Sequence, residues 1–246
     1  MVAWVYDRAR EAAVLNRLLV ATDSDAILSY CSKNGLAALI TSSEHASGTD
    51  RLIEVMDQES ASGRRADVYV NIQGDEPMVS AAHIELLVRP FLEVGTVVAN
   101  DGLADLSAEA VRASVSAWVS TLKVPISREA ACDSNAVKVV TDSSGLALYF
   151  SRAPIPYDRD GSGPARWYKQ LGLYAYTVEA LSRFRSLRPS QLEQTECLEQ
   201  LRFLENGIPI TVLETTEDTI GVDTEEDLHR VEEYFRQKGL VVEPHR

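Results

Sequence analysis

Asp67-Val-Tyr-Val-Asn-Ile-Gln-Gly-Asp-Glu-Pro77 is the stretch on which the fold turns. Its first six residues are dominated by β-branched and aromatic side chains, which suit an extended, half-buried strand. The next five break that pattern. Gly74 admits close approach of backbone to a ligand, and Asp75 and Glu76 place two hard-oxygen carboxylates at the strand's carboxyl end. Ligands bind at that end of the strands in open α/β sheets. The plainer reading is a turn with solvated acids.

Upstream, Val2, Val5, Tyr6, Ala9, Ala12 and Ala13 recur at helical spacing, and Arg17-Leu-Leu-Val-Ala21 reads as a buried strand. Asp23 or Ser24 caps a helix that stops at Gly35. A strand follows over Ala37 to Ile40, then a helix from Thr49 to about Glu59. Downstream, Ser80 caps a helix carrying Ile84, Leu87 and Phe91. Trp118 to Lys123 and Val137 to Thr141 read as strands, and Asp142-Ser-Ser-Gly145 turns the second into a hairpin with Leu146 to Phe150. Gly172 to Thr177 is a further strand. Ser190-Gln-Leu-Glu193 has capping-box spacing for a helix reaching Asn206-Gly207, and Thr224 opens the last helix. Strand–helix alternation predicts an α/β fold: a Rossmann-like mixed, mainly parallel sheet flanked by helices, with a hairpin-containing subregion over about 112–185. The whole of 1–246 reads as a single domain, with 95–117 as a candidate insertion.

Charge narrows the function. Asp and Glu number 37 against 24 Lys and Arg, a formal charge of −13 that repels a phosphate backbone and argues against nucleic acid as a general partner. No apolar run approaches the roughly 20 residues of a membrane span, and no leader pattern opens the chain. Three widely spaced cysteines, Cys31, Cys132 and Cys197, read as reduced thiols of a cytoplasmic protein.

Three other segments carry candidate chemistry. Asp223, in Ile220-Gly-Val-Asp-Thr224, is a second strand-end acid, and otherwise a helix N-cap; with Asp75 it could meet over one metal–phosphate cluster. Arg152 leaves the hairpin directly into a loop, suited to bidentate capture of a carboxylate or phosphate, and otherwise to a surface ion pair. Thr41 to Arg51 is a hydroxyl-rich loop opening a helix, suited to a nucleotide, although such clusters are commonly caps; His45 within it reads as structural or hydrogen-bonding. Tyr174, Glu199 and Gln200 mean little on spacing alone.

In order along the chain stand Ala21-Thr-Asp23, His45-Ala-Ser-Gly-Thr-Asp-Arg51, Asn71-Ile-Gln-Gly-Asp-Glu-Pro77, Thr121-Leu-Lys-Val-Pro-Ile126 and Asn135-Ala-Val-Lys-Val-Val140. Ala147-Leu-Tyr-Phe-Ser-Arg-Ala-Pro-Ile-Pro156, Leu171-Gly-Leu-Tyr-Ala-Tyr176, Leu198-Glu-Gln-Leu201 and Gly221-Val-Asp-Thr224 follow. Together these strings resemble the 3-deoxy-manno-octulosonate cytidylyltransferases (CMP-Kdo synthetases), from residue 1 to about 238. The resemblance implies that the anomeric hydroxyl of the acid sugar Kdo attacks the α-phosphate of CTP, releasing pyrophosphate and giving CMP-Kdo for lipopolysaccharide assembly. It implies Mg²⁺ held by Asp75 and Asp223 as the catalytic pair. Gln73, Arg152, Tyr174, Glu199 and Gln200 would line the sugar pocket, with Arg152 on the Kdo carboxylate. Ser47, Gly48 and Thr49, with Gly74, would approach the nucleotide. A homodimer built on the hairpin region is also implied.

Two departures from the family pattern qualify this. Gln170 stands where the family carries a histidine, which keeps open another acid sugar, such as a sialic acid, as substrate. The family also opens with a strand and a basic, glycine-containing loop for the CTP triphosphate, whereas Met1 here already reads as helix. Roughly twenty-five to thirty residues, a strand plus a long loop, would account for the difference. The expectation is therefore a misplaced start or a truncated gene, with little or no cytidylyltransferase activity until the upstream residues are restored; the alternative is a nucleotide- or sugar-binding protein without catalysis.

Overall fold

A computed structural model describes residues 1–97, 118–161, 165–222, 224–237 and 239. The elements in the first part of the chain are α1 (Val2–Arg10), β1 (Val20–Thr22), α2 (Asp25–Lys33), β2 (Ala38–Ile40), α3 (Gly48–Ala61), β3 (Val68–Asn71) and α4 (Ala81–Val97). After them come β4 (Val119–Ile126), α5 (Arg128–Ala131), β5 (Lys138–Thr141), β6 (Ala147–Ser151) and β7 (Trp167–Thr177). The last are α6 (Val178–Ser186), α7 (Gln191–Glu196), α8 (Leu201–Glu205), β8 (Ile210–Glu214) and α9 (Glu225–Gln237). The chain divides into two compact units: Met1–Arg65 with Asn71–Glu85 and Glu217–Arg246, and Ala66–Val70 with Leu86–Thr216. The candidate insertion over 95–117 begins inside α4; 98–117 lie outside the described residues.

In the first unit β1 and β2 form a parallel pair, Val20 opposite Ala38 and Thr22 opposite Ile40. Ser24 caps α2, its Oγ accepting the Ile27 N–H at 3.4 Å, and Gly35 ends it with φ 68° in the left-handed region. The apolar face of α1 buries Ala3, Val5 and Ala9. From the same helix Trp4 donates its indole N–H to the Pro77 carbonyl at 2.8 Å and packs on Phe235 of α9 at 4.8 Å. Met78, Val231 and Phe235 form the buried centre of that cluster, with Ile220 and Val222 against it. These contacts fix the loop after β3 and the segment leading to Asp223.

The second unit is built on a six-stranded sheet in the order β6-β5-β7-β4-β8, with β3 also paired to β7. β4 runs parallel to β8 but antiparallel to β7, and β5 is antiparallel to both β6 and β7. The α/β architecture is mixed as expected, but its antiparallel share exceeds the mainly parallel reading. That reading came from the first ninety residues; β7, eleven residues long, reverses direction against two neighbours. The hairpin is present: Asp142 Oδ1 accepts the N–H groups of Ser144 and Leu146 at 2.8 and 2.9 Å, and Gly145 takes φ 83°. Leu122, Leu171, Leu173, Tyr176, Phe184 and Phe203 are almost completely buried in this unit.

Two elements differ from expectation for visible reasons. β4 continues through Pro125 to Ile126, where a proline would end a central strand. Pairing with β8 has already stopped at Lys123–Glu214, so position 125 is paired on the β7 side alone and needs no amide for β8. The helix expected over 190–206 is two helices. Cys197 takes a left-handed conformation (φ 53°), and the Leu198 N–H returns to the Glu193 carbonyl at 3.1 Å, a six-to-one closing bond. The break turns the chain into Glu199 and Gln200.

Candidate functional site

The first unit holds the residues expected at the nucleotide. Ser47 caps α3, its Oγ accepting the Asp50 N–H at 3.1 Å while its hydroxyl donates to Asp50 Oδ2 at 2.9 Å. A Cβ on Gly48 would stand 3.1 Å from Gln73 Nε2 and 3.3 Å from Asn71 Nδ2, so the start of α3 lies directly against the side chains that end β3. Any larger residue at 48 would have to displace those amides. Thr49 is fully buried behind it. Arg51 reaches back to Thr41 Oγ1 at 2.5 Å and to Asp23 Oδ2 at 3.1 Å; that guanidinium holds the Asp23 carboxyl below its usual range. Glu54 accepts the Ser42 N–H at 2.9 Å and meets His45 Nε2; the Ser42 amide first and His45 second hold its carboxyl low.

The loop Gln73 to Val79 closes on itself through Glu76 N–H to the Gln73 carbonyl and Val79 N–H to the Glu76 carbonyl, both at 3.2 Å. Asp75 is half-buried, and its carbonyl accepts the Val222 N–H at 2.8 Å. A Cβ on Gly221 would lie 3.7 Å from Glu76 Oε1, so residues 221–222 run alongside this loop. Asp223 itself lies outside the described residues. Around Gly74 the nearest atom to an added Cβ is Val2 Cγ2 at 4.0 Å, leaving room for a ligand's approach. Among the described residues no three or more His, Cys, Asp and Glu cluster as a metal site. A Mg²⁺ site of one or two carboxylates completed by phosphate oxygens and water needs no such cluster.

Of the residues expected at the sugar, Gln73 belongs to the first unit and the others to the second, where a bulge and a helix end carry Tyr174, Glu199 and Gln200. The pairing of β4 with β7 slips after Thr121: Thr121 faces Tyr174, yet Leu122 faces Leu171. The Thr121 hydroxyl lies 2.8 Å from the Leu173 carbonyl and 3.3 Å from that of Leu171. The Gln170 side-chain amide reaches Thr121 Oγ1 at 3.2 Å and also contacts the Leu171 carbonyl. Gln170 is thus buried in the bulge itself. Tyr174, just past it, is deeply buried, and burial first, then the neighbouring Glu199 carboxylate, push its hydroxyl well above the ordinary range. It stays a neutral donor at any working pH. Glu199 is half-buried and Gln200 buried, both delivered by the break between α7 and α8.

Arg152 is half-buried at the end of β6. Its Nε donates to the Glu196 carbonyl at 2.9 Å and its Nη1 to the Ser134 carbonyl at 3.1 Å. A guanidinium has five N–H donors, so these two bonds leave most of the fork for a ligand. Sequence reasoning missed Glu196, Lys138, Thr121 and Arg51. Nothing in the linear pattern separates Glu196 from a solvated helix acid, whereas Lys138, Thr121 and Arg51 fall inside the family-like strings, with no role of their own.

The sequence profile of the family described as Cytidylyltransferase matches residues 1–216. A 3-deoxy-manno-octulosonate cytidylyltransferase of Acidobacterium capsulatum is 47% identical over 97% of this chain and 86% of its own length. That of Koribacter versatilis is 46% identical over 96% of the chain and 80% of its length. Among solved structures, a CMP:2-keto-3-deoxy-manno-octonic acid synthetase complexed with CTP superposes with a TM-score of 0.80 at 36% identity, covering 96% of this chain and 88% of that one.

Proposed function

The chain belongs to the 3-deoxy-manno-octulosonate cytidylyltransferase family and is a nucleotidyltransferase, and from that premise we propose that it transfers CMP from CTP to the anomeric hydroxyl of Kdo. Pyrophosphate is the leaving group, and CMP-Kdo is the activated sugar for lipopolysaccharide assembly. The phosphoryl transfer is in-line and asks the protein for positioning and charge neutralisation rather than covalent chemistry. A Mg²⁺ ion, when bound, supplies the charge neutralisation at the α-phosphate that an acidic protein cannot. Asp75 and Asp223 would hold it. The observation that carries this assignment is the 2.8 Å bond from the Val222 N–H to the Asp75 carbonyl, which sets the residue before Asp223 against the Asp75 loop.

The remaining roles are those the family resemblance implies. Ser47, Gly48 and Gly74 take the nucleotide, and Thr49, fully buried, backs that stretch from within. Tyr174 donates a hydrogen bond from a hydroxyl that burial keeps neutral, and Arg152 receives the sugar carboxylate; Gln73, Glu199 and Gln200 take sugar hydroxyls. The protein works in the cytoplasm as a homodimer on this reading. Among the described residues no helix is long and apolar enough to cross a membrane.

Pyrophosphate release with CTP, Kdo and Mg²⁺ tests the proposal, with a sialic acid in parallel. Release with Kdo supports it. Release with the other sugar alone reassigns the substrate. A second reading, binding without catalysis, has one observation in its favour: β1 and β2 pair as a two-stranded sheet, an arrangement of marginal stability by itself. It predicts thermal stabilisation by CTP or Kdo with no pyrophosphate.

A further inference from the structure

Arg152 is gripped from both sides of its backbone, and the grip involves two charged residues with no assigned role. The Glu196 carboxylate accepts the Ser151 hydroxyl at 2.7 Å on Oε1 and the Arg152 N–H at 2.9 Å on Oε2, with the Tyr149 hydroxyl at 3.4 Å. The Glu196 carbonyl accepts the Arg152 Nε at 2.9 Å. One residue therefore binds Arg152 at its backbone and at the root of its guanidinium. Burial opposes ionisation of Glu196, but the Arg152 amide and the Ser151 and Tyr149 hydroxyls outweigh it and keep the carboxyl below its usual range. On the other side, the fully buried Lys138 gives its ammonium to three carbonyls, those of Arg152 at 2.6 Å, Asp133 at 2.6 Å and Ala136 at 2.5 Å. The loop it secures contains Ser134, whose carbonyl takes Arg152 Nη1 at 3.1 Å.

The arrangement has a chemical logic. Glu196 balances the positive charge nearby, yet its carboxylate oxygens go to hydroxyls and an amide, so it does not compete for the outer fork of Arg152. Its backbone also continues through the left-handed Cys197 straight into Glu199 and Gln200. We propose that Glu196 is a positioning residue for the acid sugar, holding Arg152 in register with Glu199 and Gln200, and that Lys138 secures the opposite side of the same arginine. This rests on the reading that Arg152 receives the sugar carboxylate.

The test is equilibrium binding of Kdo and, separately, of CTP to the full chain by calorimetry. Glu196→Gln keeps the size but turns one of the two accepting oxygens into an NH2 group that can only donate, so the Arg152 N–H and the Ser151 hydroxyl can no longer both be accepted as they are. It raises the Kd for Kdo about tenfold and leaves that for CTP within about twofold. In an Arg152→Ala background the same change adds less than about twofold, because both act through one contact. Ser151→Ala, which loosens the carboxylate without altering charge, serves if Glu196→Gln is unfolded by near-ultraviolet circular dichroism; it raises the Kd for Kdo about threefold. Equal weakening of both ligands, or an undiminished effect in the Arg152→Ala background, overturns the positioning role. An Arg152→Ala chain that binds Kdo normally, or an unsubstituted chain that does not bind it, overturns the underlying reading instead.

Discussion

The two units solve the problem of holding a ligand in opposite ways. In the second, β4 and β7 contribute eight and eleven residues to a six-stranded sheet, and the candidate site side chains hang from strand ends, a bulge and a helix break over a buried apolar core. In the first, β1 and β2 have three residues each, Ile40 is 43% exposed, and polar ties between loops do much of the work. Backbone ladder and apolar burial fix Arg152, Tyr174, Glu199 and Gln200, the residues proposed for the sugar, independently of any ligand. The region proposed for the nucleotide depends on Ser47, Arg51, Glu54 and the Asp75–Val222 bond. Charged phosphates and a cation are suited to order such a region, since their binding energy can be spent on assembling loops.

That contrast can be broken most easily in the core of the second unit. Phe203→Ala, removing a ring stacked at 5.9 Å on Tyr176 and 5.0 Å from Phe184, costs about 3–5 kcal/mol in urea denaturation. A cost below about 1 kcal/mol would mean that this sheet is no more solid than the first. Lys138→Met comes next: three carbonyls lose their donor while the packing is kept, for about 2–3 kcal/mol by the same measurement. Ser190→Ala removes one half of a complete capping box and costs about 1 kcal/mol.

A pH experiment sharpens the comparison from the other unit. Glu59 is buried and takes both Arg64 and Arg17, and the Arg64 hydrogen bond foremost holds its carboxyl below the ordinary 4.5. Its folded value lies below its unfolded one, so its stabilisation is complete above about pH 4.5–5 and fades as pH falls through the folded value. Glu59→Gln should flatten the acid limb of a stability–pH profile, with little change in slope above pH 6. An unchanged acid limb would remove Glu59 from the polar framework of the first unit.

Much of this architecture was legible in the residues. Caps at Ser24 and Ser190, the Asp142 turn and the strand before Gln73 obey local rules, because their partners lie within a few positions. What escaped was set by distant pairing. The continuation of β4 through Pro125 depends on where β8 stops. The break at Cys197 has no glycine to announce it. The start of β7 at Trp167, five residues earlier than the Gly172 reading, is fixed by β4 lying opposite. The site divides the same way. Asp75, Arg152 and Ser47 drew notice through local patterns, whereas Glu196 acquires meaning only through Arg152, 44 residues away.

The proposed chemistry needs a single cation shared by Asp75 and Asp223, and Mn²⁺ titration in the presence of CTP, followed by electron paramagnetic resonance, tests it most directly. One tight Mn²⁺ per chain is expected, weakened at least about tenfold by Asp75→Asn or by Asp223→Asn alone, with the double substitution little worse than either. Tight Mn²⁺ binding that survives Asp223→Asn unchanged would contradict it.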